Sequence, residues 1–157
     1  MVVPFAYLPI QRLHLWRHTP LSVSASKAIV WLLRCGIGPS HMRILEVRGR
    51  KSGNLYCLPV DLLEYEGKLY LVSPRGRGAW VQNAEACREV VLRRGSAAHS
   101  FAVHVIDNYQ KPPILAAYLA RFKKEVQRFF PVRAGSDLSN FVELADRYPV
   151  FELIHKD

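Results

Sequence analysis

The chain has 157 residues, half of them apolar and 22% charged, with 9 Gly and 10 Pro; Gly and Pro together stay near the usual share of about 12%, which excludes fibrous repeats and a disordered polymer and predicts one domain with one core. Lys and Arg number 22 against 13 Asp and Glu, a net charge of +9, so an anionic partner is expected: nucleic acid, an acidic membrane surface, or a small molecule with phosphate and carboxylate groups. Cys35, Cys57 and Cys87 contain no CxxC pair, which excludes a disulfide framework or a zinc ribbon and fits a reducing cytoplasm.

The opening MVVPFAYLPIQRLHLWRH lacks a basic region ahead of its apolar residues, and no run reaches the ~18–20 apolar residues of a membrane span, so neither a signal peptide nor a transmembrane helix is expected. We read residues 1–157 as a single domain with an N-terminal helical leader over about 1–40. From Ser22 to Cys35, Val23, Ala25, Ile29, Val30, Leu32 and Leu33 recur at helical spacing, with Ser22 or Ser24 as N-cap and Gly36 as C-cap. Lys27 and Arg34, with Arg12, Arg17 and several aromatics upstream, also suit a helix lying on an anionic bilayer; the alternative is ordinary packing on the domain.

After GIGPSH the pattern changes to short stretches rich in Val, Leu, Ile, Phe and Tyr: RILEVRG, YCLPVDLLEYEG, KLYLVSPRG, REVVLRRG and SFAVHVID, with PVFELI near the end. Each reads as a strand. Glu66 and Gly67 between two apolar runs predict a hairpin, and Phe101, Val103 and Val105 fall on one strand face. WVQNAEACRE predicts a helix with Trp80, Asn83, Ala84 and Cys87 on one side. A second helix starts at Pro112 and Pro113 and carries Leu115, Tyr118, Leu119, Phe122, Val126 and Phe129 inward. The strands lie too close together for regular βαβ units, so the fold class is mainly β with helices (α+β), a small barrel decorated by helices.

Two polar clusters stand out. Arg48-Gly49-Arg50-Lys51-Ser52-Gly53 sits between two predicted strands and can present charge and backbone N–H groups to a phosphate, or be a solvated basic turn. It is not a Walker loop, because Arg50 stands where Gly is required. Ser73-Pro74-Arg75-Gly76-Arg77-Gly78 follows a strand and precedes the helix near Trp80, a second place for an anion. His14, His18, Cys35 and His41 can be drawn as a metal site, but they are scattered and no metal is assigned. His99 and His104 have no suitably placed partners. No GxSxG elbow or Cys–His pair indicates covalent catalysis. Trp16, Trp31 and Trp80 read as core or interface residues, with Trp80 also able to pack on a flat ring.

GRKSG at 49–53, Pro59, SPRG at 73–76, WVQN at 80–83, KPPILAAYL at 111–119 and YPVFEL at 148–153 together resemble the deazaflavin (coenzyme F420)-dependent nitroreductase, or quinone reductase, family of actinobacteria, across nearly the whole chain. The resemblance implies a split β-barrel and an oxidoreductase that passes a hydride from reduced F420 to a quinone, nitroaromatic or activated alkene. It implies cofactor-binding roles for Gly49, Arg50, Lys51, Ser52 and Gly53, for Pro59, for Ser73, Pro74, Arg75 and Gly76, and for Trp80 and Asn83. The stretch from Ser73 to Trp80 is short and resembles a shorter-loop branch. The deazaflavin's phosphodiester and oligoglutamate tail would account for the positive charge without nucleic acid.

FMN is the alternative cofactor, and haem the other group weighed. Tyr65, Tyr118 and Tyr148 are candidate proton donors, though each also reads as a structural tyrosine, and no catalytic side chain is assigned. The expected partners are a small-molecule electron acceptor, a second copy of the chain, and a membrane surface touched through the N-terminal helix, in a cytoplasmic or membrane-peripheral setting. A non-enzymatic deazaflavin or flavin carrier is the rival reading. A nucleic-acid-binding barrel using Arg48, Arg50, Lys51, Arg75, Arg77 and Trp80 is a third.

Overall fold

The computed structural model describes residues 20–156. Its elements are α1 (Pro20–Arg34), β1 (Met42–Arg48), β2 (Leu55–Tyr65), β3 (Lys68–Val72), α2 (Ala79–Cys87), β4 (Glu89–Arg94), β5 (Ala97–Val105), α3 (Lys111–Arg121), α4 (Lys123–Val126), α5 (Leu138–Val142) and β6 (Val150–His155). The strands pair antiparallel in the order β1-β2-β3-β6-β5-β4, and β4 closes on β1 to make a barrel. Glu66 and Gly67 both take positive φ, +50° and +72°, between the paired residues Tyr65 and Lys68. This is the two-residue hairpin the sequence predicts, in the turn whose twist matches the strands.

Strand alternation divides the apolar residues between two sides of the wall. Leu45, Val47, Leu71, Val90, Leu92, Phe101, Phe151 and Leu153 fill the interior, joined by Val81 and Ala84 of α2. Outside, Leu63, Tyr70 and Val72 carry α3 through Leu115, Tyr118, Leu119 and Phe122. Ile44 and Cys57 carry α1 through Val30 and Leu33. Burying a side chain of this size is worth about 1.5–3 kcal/mol, so the two outer layers are integral to the fold.

Four helix and strand expectations need correction. α1 begins at Pro20, so Ser22 and Ser24 lie within the helix; a proline in the first turn forfeits no hydrogen bond and starts the helix earlier. Cys87 of α2 is exposed and Val81 takes the inward place with Ala84. The helix from Pro112 breaks at Phe122 rather than running to Phe129, and Phe130 is buried in place of Phe129, while Phe122 and Val126 are buried as expected. Val105 is half exposed because β5 ends there, and Ile106 turns inward instead. Residues 1–19, with Arg12, His14, Trp16, Arg17 and His18, lie outside the described residues, as does about half of the leader with them.

The end of α1 follows the capping expectation. Gly36 sits at φ +77°, its N–H donates to Leu33 O at 3.0 Å, and Ile37 N–H donates to Leu32 O at 2.9 Å, the paired bonds of a glycine-terminated helix. Arg94 then reaches across from β4 to donate to the carbonyls of Pro39, Gly38 at 2.7 Å and Met42 at 3.3 Å. Arg43 donates to the Ser40 and Met42 carbonyls as well, so two guanidiniums fix the connection from α1 to β1. Among the described residues no helix is long and apolar enough to cross a membrane.

Candidate functional site

β2 has one edge in two states. From Leu55 to Asp61 it pairs with β1, but it pairs with β3 only from Leu62 to Tyr65, because β3 ends at Val72 and the chain leaves for α2. Leu62 N–H donates to the His41 carbonyl on the β1 side at 3.0 Å. By the two-residue alternation of a strand, Cys57 and Pro59 turn their backbone groups to the opposite, unpaired edge. Pro59, which has no N–H, occupies a position where no ladder bond is required.

A cavity of ≈ 480 Å³ lies along this edge, within the 300–1,000 Å³ usual for small-molecule sites. Its floor is β2 from Cys57 to Asp61, and its sides are Ile29 of α1, the β3–α2 loop, and Tyr118, Val126 and Phe129. Burial pushes the Cys57 thiol up, and Glu46 adds to the effect, so this sulfur stays protonated and unreactive.

The two basic loops have different fates. Pro59, Ser73, Pro74, Arg75, Gly76 and Trp80 all line the cavity. Ser73 Oγ donates to Gly76 O at 2.6 Å and shapes the turn, and Trp80 also meets Phe151 edge-on at 5.8 Å. Arg75 lies over the Phe129 ring at 5.1 Å, and Arg128 over the same ring at 4.8 Å. Neither has a carboxylate partner among the described residues, so two guanidiniums border one cavity with their charge uncompensated. Arg128 was not foreseen from sequence, since it lies in a helical stretch with no motif.

Gly49, Arg50, Lys51, Ser52, Gly53 and Asn83 do not line the cavity. Arg50 is tied to α2: its backbone N–H and Nη1 donate to Asn83 Oδ1 at 3.2 and 2.8 Å, and Nη2 donates to Gln82 Oε1 at 2.8 Å. Ser52 Oγ accepts from Asn54 N–H at 3.2 Å. Gly49 is buried, and a Cβ there would lie 2.6 Å from the Tyr56 ring. Lys51 is exposed. The turn thus abuts the side of α2, the helix whose first turn supplies Trp80 to the cavity.

Of the three tyrosines considered, Tyr118 alone lines the cavity. Burial raises its hydroxyl far above the ordinary range, with Asp61 and Glu125 adding to the effect, so it remains a neutral donor. Tyr148 OH donates to Phe129 O at 2.6 Å and anchors the ring on which the two arginines rest. Tyr65 lies at the hairpin end of β2. Among the described residues no group of three or more His, Cys, Asp or Glu is placed to hold a metal ion.

No family model matches the chain, and no curated protein sequence is significantly similar to it. Solved structures are similar in shape. An F420-H2-dependent reductase, FDR-A, matches with a TM-score of 0.50 at 16% identity, over 73% of this chain and 94% of that one. A protein from Listeria innocua assigned as a pyridoxamine 5′-phosphate oxidase gives 0.51 at 12%, over 83% and 93%. The haem storage protein HutZ from Vibrio cholerae gives 0.54 at 8%, over 74% and 82%. The fold is the split β-barrel of flavin- and deazaflavin-reductase-like proteins. A split barrel serves proteins with different ligands, so the likeness fixes architecture and leaves the ligand to the chemistry of the site.

Proposed function

We propose that the protein is an oxidoreductase that holds a flavin-type cofactor along the open edge of β2, coenzyme F420 first and FMN second, and reduces an electron-poor acceptor such as a quinone, nitroaromatic or activated alkene. The observation that carries this reading is the union of three features in one cavity: an unpaired strand edge, apolar walls, and two uncompensated guanidiniums at Arg75 and Arg128. Backbone groups at Cys57 and Pro59 can meet the polar rim of a flat ring, and Trp80 and Val72 bound the same space. Arg75 and Arg128 hold the anionic tail, and Lys51 is exposed on the neighbouring turn for a longer one. When bound and reduced, such a cofactor supplies a hydride; the chain positions the ring and keeps water from it.

The resemblance of GRKSG, SPRG and WVQN to the F420-dependent family favours the deazaflavin over FMN. A peripheral membrane contact belongs to the same proposal, since α1 exposes Trp31 and Leu32 beside Lys27 and Arg34, and flotation with anionic vesicles tests it.

Fluorescence titration with oxidised F420, FMN and a single-stranded oligonucleotide tests the cofactor. We expect micromolar or tighter F420 binding that is lost in an Arg75→Ala, Arg128→Ala double variant. Binding without turnover on a panel of quinones, nitroaromatics and alkenes would favour a carrier. Salt-sensitive oligonucleotide binding alone would replace the enzyme by a nucleic-acid-binding barrel.

A further inference from the structure

We infer that His41, held by Asp61, is the proton donor to the molecule reduced in the cavity. This rests on the reading of the cavity as a reduction site. His41 lies just before β1, and its carbonyl accepts from Leu62 N–H, which fixes its backbone beside β2. Its ring packs on Phe122 with centroids 4.9 Å apart. Its Nε2 lies 3.4 Å from Asp61 Oδ1, and both residues line the cavity.

Asp61 has no evident structural task. Its Oδ1 is buried and accepts no hydrogen bond from the described residues, an arrangement that costs stability unless a donor is brought to it. The imidazole is the donor at hand. With Nε2 turned to the carboxylate, Nδ1 is the other nitrogen, and it has no partner among the described residues. This is the arrangement of an acid–base group oriented by a third residue, found in a cavity.

The groups that share this end are Asp61 from β2, Tyr118 from α3 and Glu125 from α4; among the described residues α1 contributes the non-titrating Ser26 and Ile29. Burial raises the Asp61 carboxyl, His41 draws it down, and Glu125 raises it again.

Hydride addition to a quinone, nitro group or activated alkene leaves a negative charge on the acceptor, and a neutral product needs one proton. An imidazolium N–H bond breaks, the new bond to hydrogen forms on the acceptor, the nitrogen keeps the electron pair, and solvent restores the proton. Asp61 acts as a positioning residue that stabilises the charged ring before transfer. General acids in such settings contribute about 10²–10⁴ in rate.

Two measurements test the pair. In the cofactor-free protein, the Nε2 signal of the His41 ring in nitrogen NMR should move in Asp61→Asn as its carboxylate partner is lost; an unchanged signal overturns the pairing. In reduction of menadione by reduced F420, His41→Gln should lower kcat about 100-fold at neutral pH and abolish the decline in kcat with rising pH, while F420 affinity by fluorescence stays within about twofold. Wild-type kcat without that decline, or a His41→Gln variant that keeps it, overturns the role. Failure of F420 to bind the wild-type protein would sink the cofactor reading instead, and the NMR comparison decides the pair on its own.

Discussion

The loops at 49–53 and 73–78 are alike in sequence: both follow strands, both are rich in Gly and Arg, and both look like anion sites. The structure treats them differently. In the first, three donors of Arg50 meet the side-chain amides of Asn83 and Gln82, so the arginine fastens the turn to α2. In the second, Arg75 has only the face of Phe129 beneath it, while Arg77 is paired with Glu85 at 2.9 Å. Whether an arginine is scaffold or ligand-binding group thus depends on which acceptors the fold brings to it, and composition does not carry that information.

The contrast breaks most sharply at Arg50. Arg50→Ala leaves the buried Asn83 oxygen with the backbone N–H as its one remaining donor and takes the donor from Gln82 Oε1, and should cost about 1.5 kcal/mol in urea unfolding, whereas Arg75→Ala should stay within about 0.5 kcal/mol. Equal losses would erase the distinction. Gly49→Ala sets a methyl group against the Tyr56 ring and Ser52 Oγ and should cost about 1.5 kcal/mol in the same assay. On the ligand side, the Arg75→Ala, Arg128→Ala variant should weaken F420 at least tenfold, about 1.4 kcal/mol, without moving the unfolding midpoint.

Smaller effects sharpen the picture. The folded protein holds the Asp61 proton to higher pH than the unfolded chain does, since burial raises that carboxyl above 3.8. Its contribution to stability therefore declines as pH rises from about 4 through the raised value and stays low beyond it. Asp61→Asn should be more stable than wild type at pH 7, with the gap closing toward pH 4; a gap that widens on acidification would contradict this. Lys51→Ala should leave stability within about 0.5 kcal/mol, weaken F420 two- to threefold or about 0.5 kcal/mol, and leave FMN unaffected.

Much of this architecture was legible in the sequence because it is written in local terms. The six strands, the Glu66-Gly67 hairpin and the glycine that ends α1 follow from alternation and from positive φ. The cavity was half legible: Pro59, Ser73, Pro74, Arg75, Gly76 and Trp80 sit in motifs and line it together. His41, Asp61 and Arg128 sit in none. They meet because β2 outruns β3 and because the helix from Lys111 breaks at Phe122, and both are long-range outcomes of packing. The spacing of His14, His18, Cys35 and His41 suggested a metal site on paper, yet the partner that matters to His41 is an aspartate 20 residues away, across a strand pair.

Pro59 has one more consequence. A strand that stops pairing halfway along offers its unused backbone to any other extended chain, and such edges seed aggregation and the exchange of strands between molecules. The proline removes a donor from the middle of that edge, and side chains of α1 and of the segment from Tyr118 to Phe129 stand beside it. The same residue that keeps the opening available to a small flat molecule thus protects it against polypeptide.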